Sequence, residues 1–196
     1  MFRFYRKFLS MIIPSVLLFL LARNSRPLWS AEISVTDKMV RTVKVQTPAK
    51  RAVLLTTYEL IPALGIWDSI AASGKWANSN DLMSAYNYGL NRLPSVGSGA
   101  DVNMEIMMRI NPDLVVSWTF RPEQVDFMSS HGLTVISIYP DSLNELIAVI
   151  RMHGNLFGKE KRAEYCIMKM NEIFSLIKKR SQKITHEQKR KILWIG

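Results

Sequence analysis

The chain has 196 residues, a single cysteine and a formal net charge of +10. That charge is uneven: residues 1–30 hold five of the 26 basic residues and no acid, residues 178–196 hold seven basic residues and one acid, and residues 31–177 set 14 basic against 15 acidic residues. The near-neutral body lacks the electrostatic footprint of a nucleic-acid binder, and one cysteine excludes an internal disulfide.

Arg3, Arg6 and Lys7 precede an apolar run from Phe8 to Ala22, and Ser30 before Ala31 supplies a small residue at a cleavage point. The run is shorter than the roughly 20 residues that span a bilayer. Residues 1–30 therefore read as a signal peptide, with a short membrane anchor as the competing reading. No cysteine stands near the cleavage point to carry a lipid, so the expected product is a freely diffusing periplasmic protein. Residues 33–46 alternate apolar and polar side chains about Asp37-Lys38, as a β-hairpin does, and Pro48 ends the unit. Arg51 to Leu55 is a short apolar run typical of a buried parallel strand. Thr56 and Thr57 are candidate N-caps for a helix over Glu59–Leu64, which Gly65 closes.

Ser69 to Ser73 reads as a second strand, and residues 75–100 as a long loop-rich stretch. A helix over Asn103–Ile110, the turn Asn111-Pro112-Asp113 and a third strand over Leu114–Trp118 follow. A helix from Pro122 to His131 stops at Gly132, and Leu133–Ile138 is a fourth strand. Asp141 and Ser142 begin a helix that runs to Leu156 and is capped by Gly158. From Lys159 to Lys183, Ala163, Ile167, Met170, Ile173, Phe174 and Ile177 recur at steps of three and four and give one apolar face. Lys191 to Gly196 reads as a further buried strand with nothing after it to pair with. Strand–helix alternation predicts an α/β fold, a doubly wound parallel sheet lobe with an N-terminal hairpin and a long connecting helix. The expected organisation is a signal peptide over 1–30, a ligand-binding lobe over 31–158, a linker helix over 159–186, and over 187–196 the first strand of a second lobe.

A search for catalytic chemistry is empty. His131, His153 and His186 have no partners in a triad or metal pattern, and there is no P-loop, G-x-S-x-G or CxxC. Gly97-Ser98-Gly99 lacks the preceding strand a phosphate cradle needs. Cys166, inside a helical stretch, reads as a small core hydrophobe. What remains are loops at the carboxyl ends of the predicted strands, where open parallel sheets bind ligands. Thr57 and Tyr58 follow the first strand, Trp76, Tyr86 and Tyr88 the second, Trp118, Phe120 and Arg121 the third, and Tyr139 the fourth. Aromatic side chains among Asn, Ser and Gly suit a bulky, partly apolar ligand. Thr57, Tyr58, Trp76, Tyr86, Trp118 and Arg121 are the candidate ligand-binding residues, with no catalytic residue, no metal ligand and no cofactor expected.

The ordered series Arg51-Ala52-Val53-Leu54-Leu55, Glu59, Ala63-Leu64-Gly65, Val96-Gly97, Asn103-Met104-Glu105 and Asn111-Pro112-Asp113-Leu114-Val115-Val116 resembles the iron-chelate and cobalamin class of periplasmic substrate-binding proteins. Val35-Thr36-Asp37 and the stretch from Asp141-Ser142-Leu143 to Leu156-Phe157-Gly158 fit the same class, so the resemblance covers about residues 33–196. It implies two α/β lobes joined by one long helix, a ligand held in the cleft between them, and no enzymatic activity. The implied partners are a metal chelate (an iron–siderophore, haem or a corrinoid) and the permease of an ABC importer, with the binding protein a monomer. Gly99-Ala100-Asp101-Val102 lacks the arginine that some hydroxamate binders of the class carry before the Asn-x-Glu segment, which speaks against a hydroxamate. Arg92-Leu93-Pro94-Ser95 is not acidic where a permease-docking residue would stand, so no docking residue is assigned. The alternative to capture is a folded fragment or interaction domain without a tight ligand.

Overall fold

A computed structural model of the chain describes residues 31–86 and 93–182, with the side chain of Tyr86 outside that set. The expected hairpin is present as β1 (Ala31–Thr36) and β2 (Thr42–Thr47). Its turn is built on Asp37, whose carboxylate accepts the backbone N–H of Met39 and Arg41, each at 3.0 Å, and pairs with the Arg41 guanidinium at 2.6 Å. The same carboxylate accepts the Ser137 N–H at 3.3 Å, and Lys38 N–H donates to the Ser137 carbonyl at 2.9 Å, so the turn is tied to a strand a hundred residues away.

β3 (Ala52–Leu54), β4 (Ile70–Ser73), β7 (Leu114–Trp118) and β8 (Val135–Ile138) form one parallel sheet in the order β4-β3-β7-β8. Period-2 alternation sends neighbouring side chains to opposite faces, and here both faces are buried. Ala52, Leu54, Leu114, Val116, Ile136 and Ile138 pack with α1 (Leu60–Leu64), α5 (Leu143–Phe157) and α6 (Glu160–Ser181). Val53, Leu55, Val115 and Val135 pack with α3 (Met104–Ile110) and α4 (Pro122–Ser130). Burial on both faces is why these strands read as continuous apolar runs.

Several boundaries follow local chemistry. Asn103 accepts the Ile106 N–H at 3.0 Å and caps α3, and Ser142 does the same for α5 through the Glu145 N–H at 3.2 Å. Gly65, Gly132 and Gly158 take left-handed φ of 66°, 82° and 63° where helices end. Asp113 accepts the N–H groups of Lys50 and Arg51 at 2.7 and 3.0 Å and locks the start of β3 beside β7.

Four expectations change. Thr56 and Thr57 cap nothing: Glu59 precedes α1 without a side-chain cap bond, and Thr57 sits at φ 56°. The described parts of residues 75–100 are more ordered than a loop, with a 3-10 turn at Lys75–Ser79, α2 (Asp81–Tyr86) and β5 (Gly97–Ser98), which pairs antiparallel with β6 (Asp101–Val102). Asn80 starts α2 by accepting the Met83 N–H at 3.1 Å, a cap signal hidden in a polar stretch. The fourth strand starts at Val135 instead of Leu133. On α6 only Ala163 and Ile167 are buried, while Ile173, Phe174 and Ile177 of the same face are exposed among the described residues. Cys166 is half-buried and directs Sγ at the Ala63 carbonyl, 3.6 Å away. The strand expected within 187–196, and His186, lie outside the described residues.

Candidate functional site

The chain runs from β3 outward to β4, then returns past β3 to β7 and on to β8. Its direction reverses between β3 and β7, and loops leaving neighbouring strands at such a switch point diverge and open a crevice at their carboxyl ends. A cavity of about 970 Å³ lies there, between the segment after β3 and the segment after β7. The 3-10 turn after β4, the β5–β6 tip and the end of β8 complete its wall.

Thr57, Tyr58, Trp76 and Trp118 all line this cavity. Arg121 is not among the lining residues; it precedes α4 and pairs with Glu123 at 3.5 Å. Tyr86 closes α2, and its side chain, like Tyr88, falls outside the described residues.

The four play unequal parts. Tyr58 belongs to the floor: it is 6% exposed, packs in the core under α1 and α5, and donates its hydroxyl to the Leu55 carbonyl at 2.6 Å. Burial, with the adjacent Glu59 charge, pushes the phenol up to about 12, so it stays protonated at neutral pH. Gly74 makes room for that hydroxyl, since a Cβ there would lie 2.3 Å from Tyr58 Oη. Thr57 holds a conformation that β-branched residues rarely adopt. Its hydroxyl donates to the Thr56 carbonyl at 2.7 Å and lies 3.2 Å from Nε2 of the buried His153. Trp118 is 40% exposed and meets Tyr139 edge-on, with ring centroids 5.4 Å apart at 65°. Trp76 is 60% exposed, with Lys75 Nζ 4.9 Å from its ring centroid. These exposed rings form the rim and the buried phenol forms the floor.

The structure adds residues that the candidate set lacked. Glu59 lines the cavity and accepts Asn80 Nδ2 at 2.6 Å. Ser98, Gly99 and Ala100 contribute the β5–β6 tip. Gly97-Ser98-Gly99 was visible as a glycine-rich triplet, but nothing local placed it beside β7; Gly99 does sit there, where a Cβ would meet Ser117 Oγ at 3.0 Å. Among the described residues no cluster of three or more His, Cys, Asp or Glu side chains could hold a metal ion. None of the described helices is long and apolar enough to cross a membrane. The arrangement is a concave receptor with an aromatic rim.

A family model described as periplasmic binding protein matches residues 52–196. Over 167 residues the chain is 23% identical to an uncharacterised ABC transporter substrate-binding lipoprotein, YvrC, of Bacillus subtilis (strain 168), which covers 82% of this chain and 51% of that one. The fold is similar to that of MolA, the molybdate periplasmic binding protein of Haemophilus influenzae, with a TM-score of 0.72 at 18% identity over 80% of this chain and 56% of that one. It is similar also to CeuE of Helicobacter pylori in a nickel–histidine complex, with a TM-score of 0.72 at 20% identity over 79% and 51% of the two chains. The chain spans about half the length of these relatives.

Proposed function

This chain belongs to the periplasmic binding protein family, and we propose that it captures a metal complex outside the cytoplasm and hands it to the permease of an ABC importer. The observation that carries this reading is the cavity of about 970 Å³ at the switch point of the sheet, floored by Tyr58 and rimmed by Trp76, Trp118 and Tyr139. A cavity of that size fits a ligand of drug size or larger. The ligand class draws support from CeuE of Helicobacter pylori, which holds a nickel–histidine complex. An iron chelate or a corrinoid suits the aromatic rim equally. The exposed apolar half of α6, at Ile173, Phe174 and Ile177, suits a helix that links this lobe to a second one, with the ligand clamped between. Residues 1–30 serve as the export signal in this reading.

Trp118→Ala tests it. Losing one aromatic wall weakens an aromatic–ligand contact by roughly 1–3 kcal/mol, about 5- to 150-fold in Kd. Titrations of the protein by tryptophan quenching against a panel of ferric, nickel, molybdate and corrinoid complexes supply the reference affinity. A variant that keeps its fold by circular dichroism and binds the same complex just as tightly would remove Trp118 from the site. A panel in which nothing binds up to millimolar concentration would sink the capture reading.

A further inference from the structure

We propose that the cavity selects neutral or cationic complexes and rejects anionic ones, with the Glu59 carboxylate as the group that reads ligand charge; this rests on the cavity being the capture site. Among the described lining residues Glu59 is the single charged side chain. Asn80 Nδ2 donates to its Oε1 at 2.6 Å and steadies it at the cavity edge. Among the described residues, three basic side chains near the cavity each have a partner. Lys75 lies against Trp76, 4.9 Å from the ring centroid. Arg121 turns to Glu123 at 3.5 Å. Lys38, near the β8 end of the cavity, is held by Asp141 and Glu145, each at 2.8 Å.

Two hydroxyls at the floor of the cavity point the same way. An anion needs donors, yet the Tyr58 hydroxyl is committed to the Leu55 carbonyl at 2.6 Å and the Thr57 hydroxyl to the Thr56 carbonyl at 2.7 Å. Both oxygens then remain as acceptors. Exposed indole and phenol rings add the negative faces of their quadrupoles, which attract cations. The preference is local in origin, because residues 31–177 as a whole balance 14 basic against 15 acidic residues.

Two measurements test this on the protein and on Glu59→Gln, which keeps an acceptor for Asn80. The first needs no ligand: quenching by caesium and by iodide at constant ionic strength, with the Trp118 contribution isolated by difference from Trp118→Phe. Each quenching constant is normalised to that of free N-acetyltryptophanamide. The caesium-to-iodide ratio at Trp118 is expected to be about twofold or more above unity and to fall toward unity in Glu59→Gln. A ratio at or below unity, or one that Glu59→Gln leaves unchanged, overturns the inference. The second uses one macrocycle at three charges: cyanocobalamin, its side-chain monocarboxylate, and the aminoethylamide of that carboxylate. The anionic member is expected to bind about tenfold more weakly than the neutral one, with the gap narrowed in Glu59→Gln. Anionic binding as tight as neutral binding overturns the charge inference and leaves the capture reading standing. If the quencher preference holds and the wider panel of metal complexes fails to bind, the charge inference stands and the capture reading falls.

Discussion

His153 makes the stability of this protein depend on pH in a window that the structure defines. The ring is fully buried on α5, its Nδ1 2.8 Å from the Val149 carbonyl and its Nε2 3.2 Å from Thr57 Oγ1. A carbonyl oxygen only accepts, so Nδ1 carries the proton and Nε2 is left as an acceptor. The Thr57 hydroxyl then has one proton for two acceptors, the Thr56 carbonyl and Nε2. Protonating Nε2 would place a charge in the core beside Phe157, whose ring centroid is 6.2 Å away. Burial accordingly lowers the imidazole to about 4 from its ordinary 6.5, against a smaller opposing effect of the Val149 carbonyl. Between those two values the unfolded chain binds more protons than the folded one. The contribution of the neutral ring is therefore present above about pH 6.5 and is lost as pH falls toward 4. At 1.36 kcal/mol per pH unit the full loss is about 3 kcal/mol, with about 2 kcal/mol already gone by pH 5. Glu145 and Glu164, held below the ordinary carboxylate range by Lys38 and Arg151, add their own acid sensitivity. The assay is urea unfolding followed by circular dichroism at pH 7, 6, 5 and 4.5, on the protein and on His153→Leu. The variant is less stable at pH 7 but retains the carboxylates, so the difference in slope isolates the histidine. Parallel stability curves for the two proteins would refute the assignment of a buried neutral His153.

Two further substitutions probe the framework of the cavity. Gly74→Ala puts a Cβ 2.3 Å from Tyr58 Oη and 3.3 Å from the Gly97 carbonyl and Leu55 Cα, and should cost about 1–3 kcal/mol in thermal unfolding; pairing it with Tyr58→Phe should recover part of that loss, and strict additivity in the double-mutant cycle would show that the hydroxyl is not what Gly74 accommodates. Asp37→Ala removes the acceptor of the Met39, Arg41 and Ser137 N–H groups and the partner of Arg41; a loss of about 3 kcal/mol is expected, with amide exchange rising first in the hairpin and at Ser137, and unchanged exchange at Ser137 would show that the turn is not anchored to β8.

Much of the fold was legible in the chain because its signals are local. The apolar runs at Ala52–Leu54 and Leu114–Trp118 mark strands because each lies between helices on two faces. Helix ends were legible at Gly65, Gly132 and Gly158, where the backbone turns left-handed, and at Ser142, which caps with its own hydroxyl. The 3-10 turn and α2 within residues 75–86 were not, since short polar segments carry too few periodic positions to announce themselves. The candidate site was legible only as a set of aromatic residues in loops after strands. Whether they meet depends on strand order, and β4-β3-β7-β8 is decided by contacts distant in sequence. That order brings Thr57 within reach of His153, 96 positions away, and the Asp37 turn against Ser137, 100 positions away. It also separates neighbours: Trp118 joins the cavity rim while Arg121, three residues on, turns outward to Glu123. Periodicity and capping act over a few residues and leave their mark in the sequence; which rings share a cavity, and which charges are already paired, is settled by packing across the whole sheet.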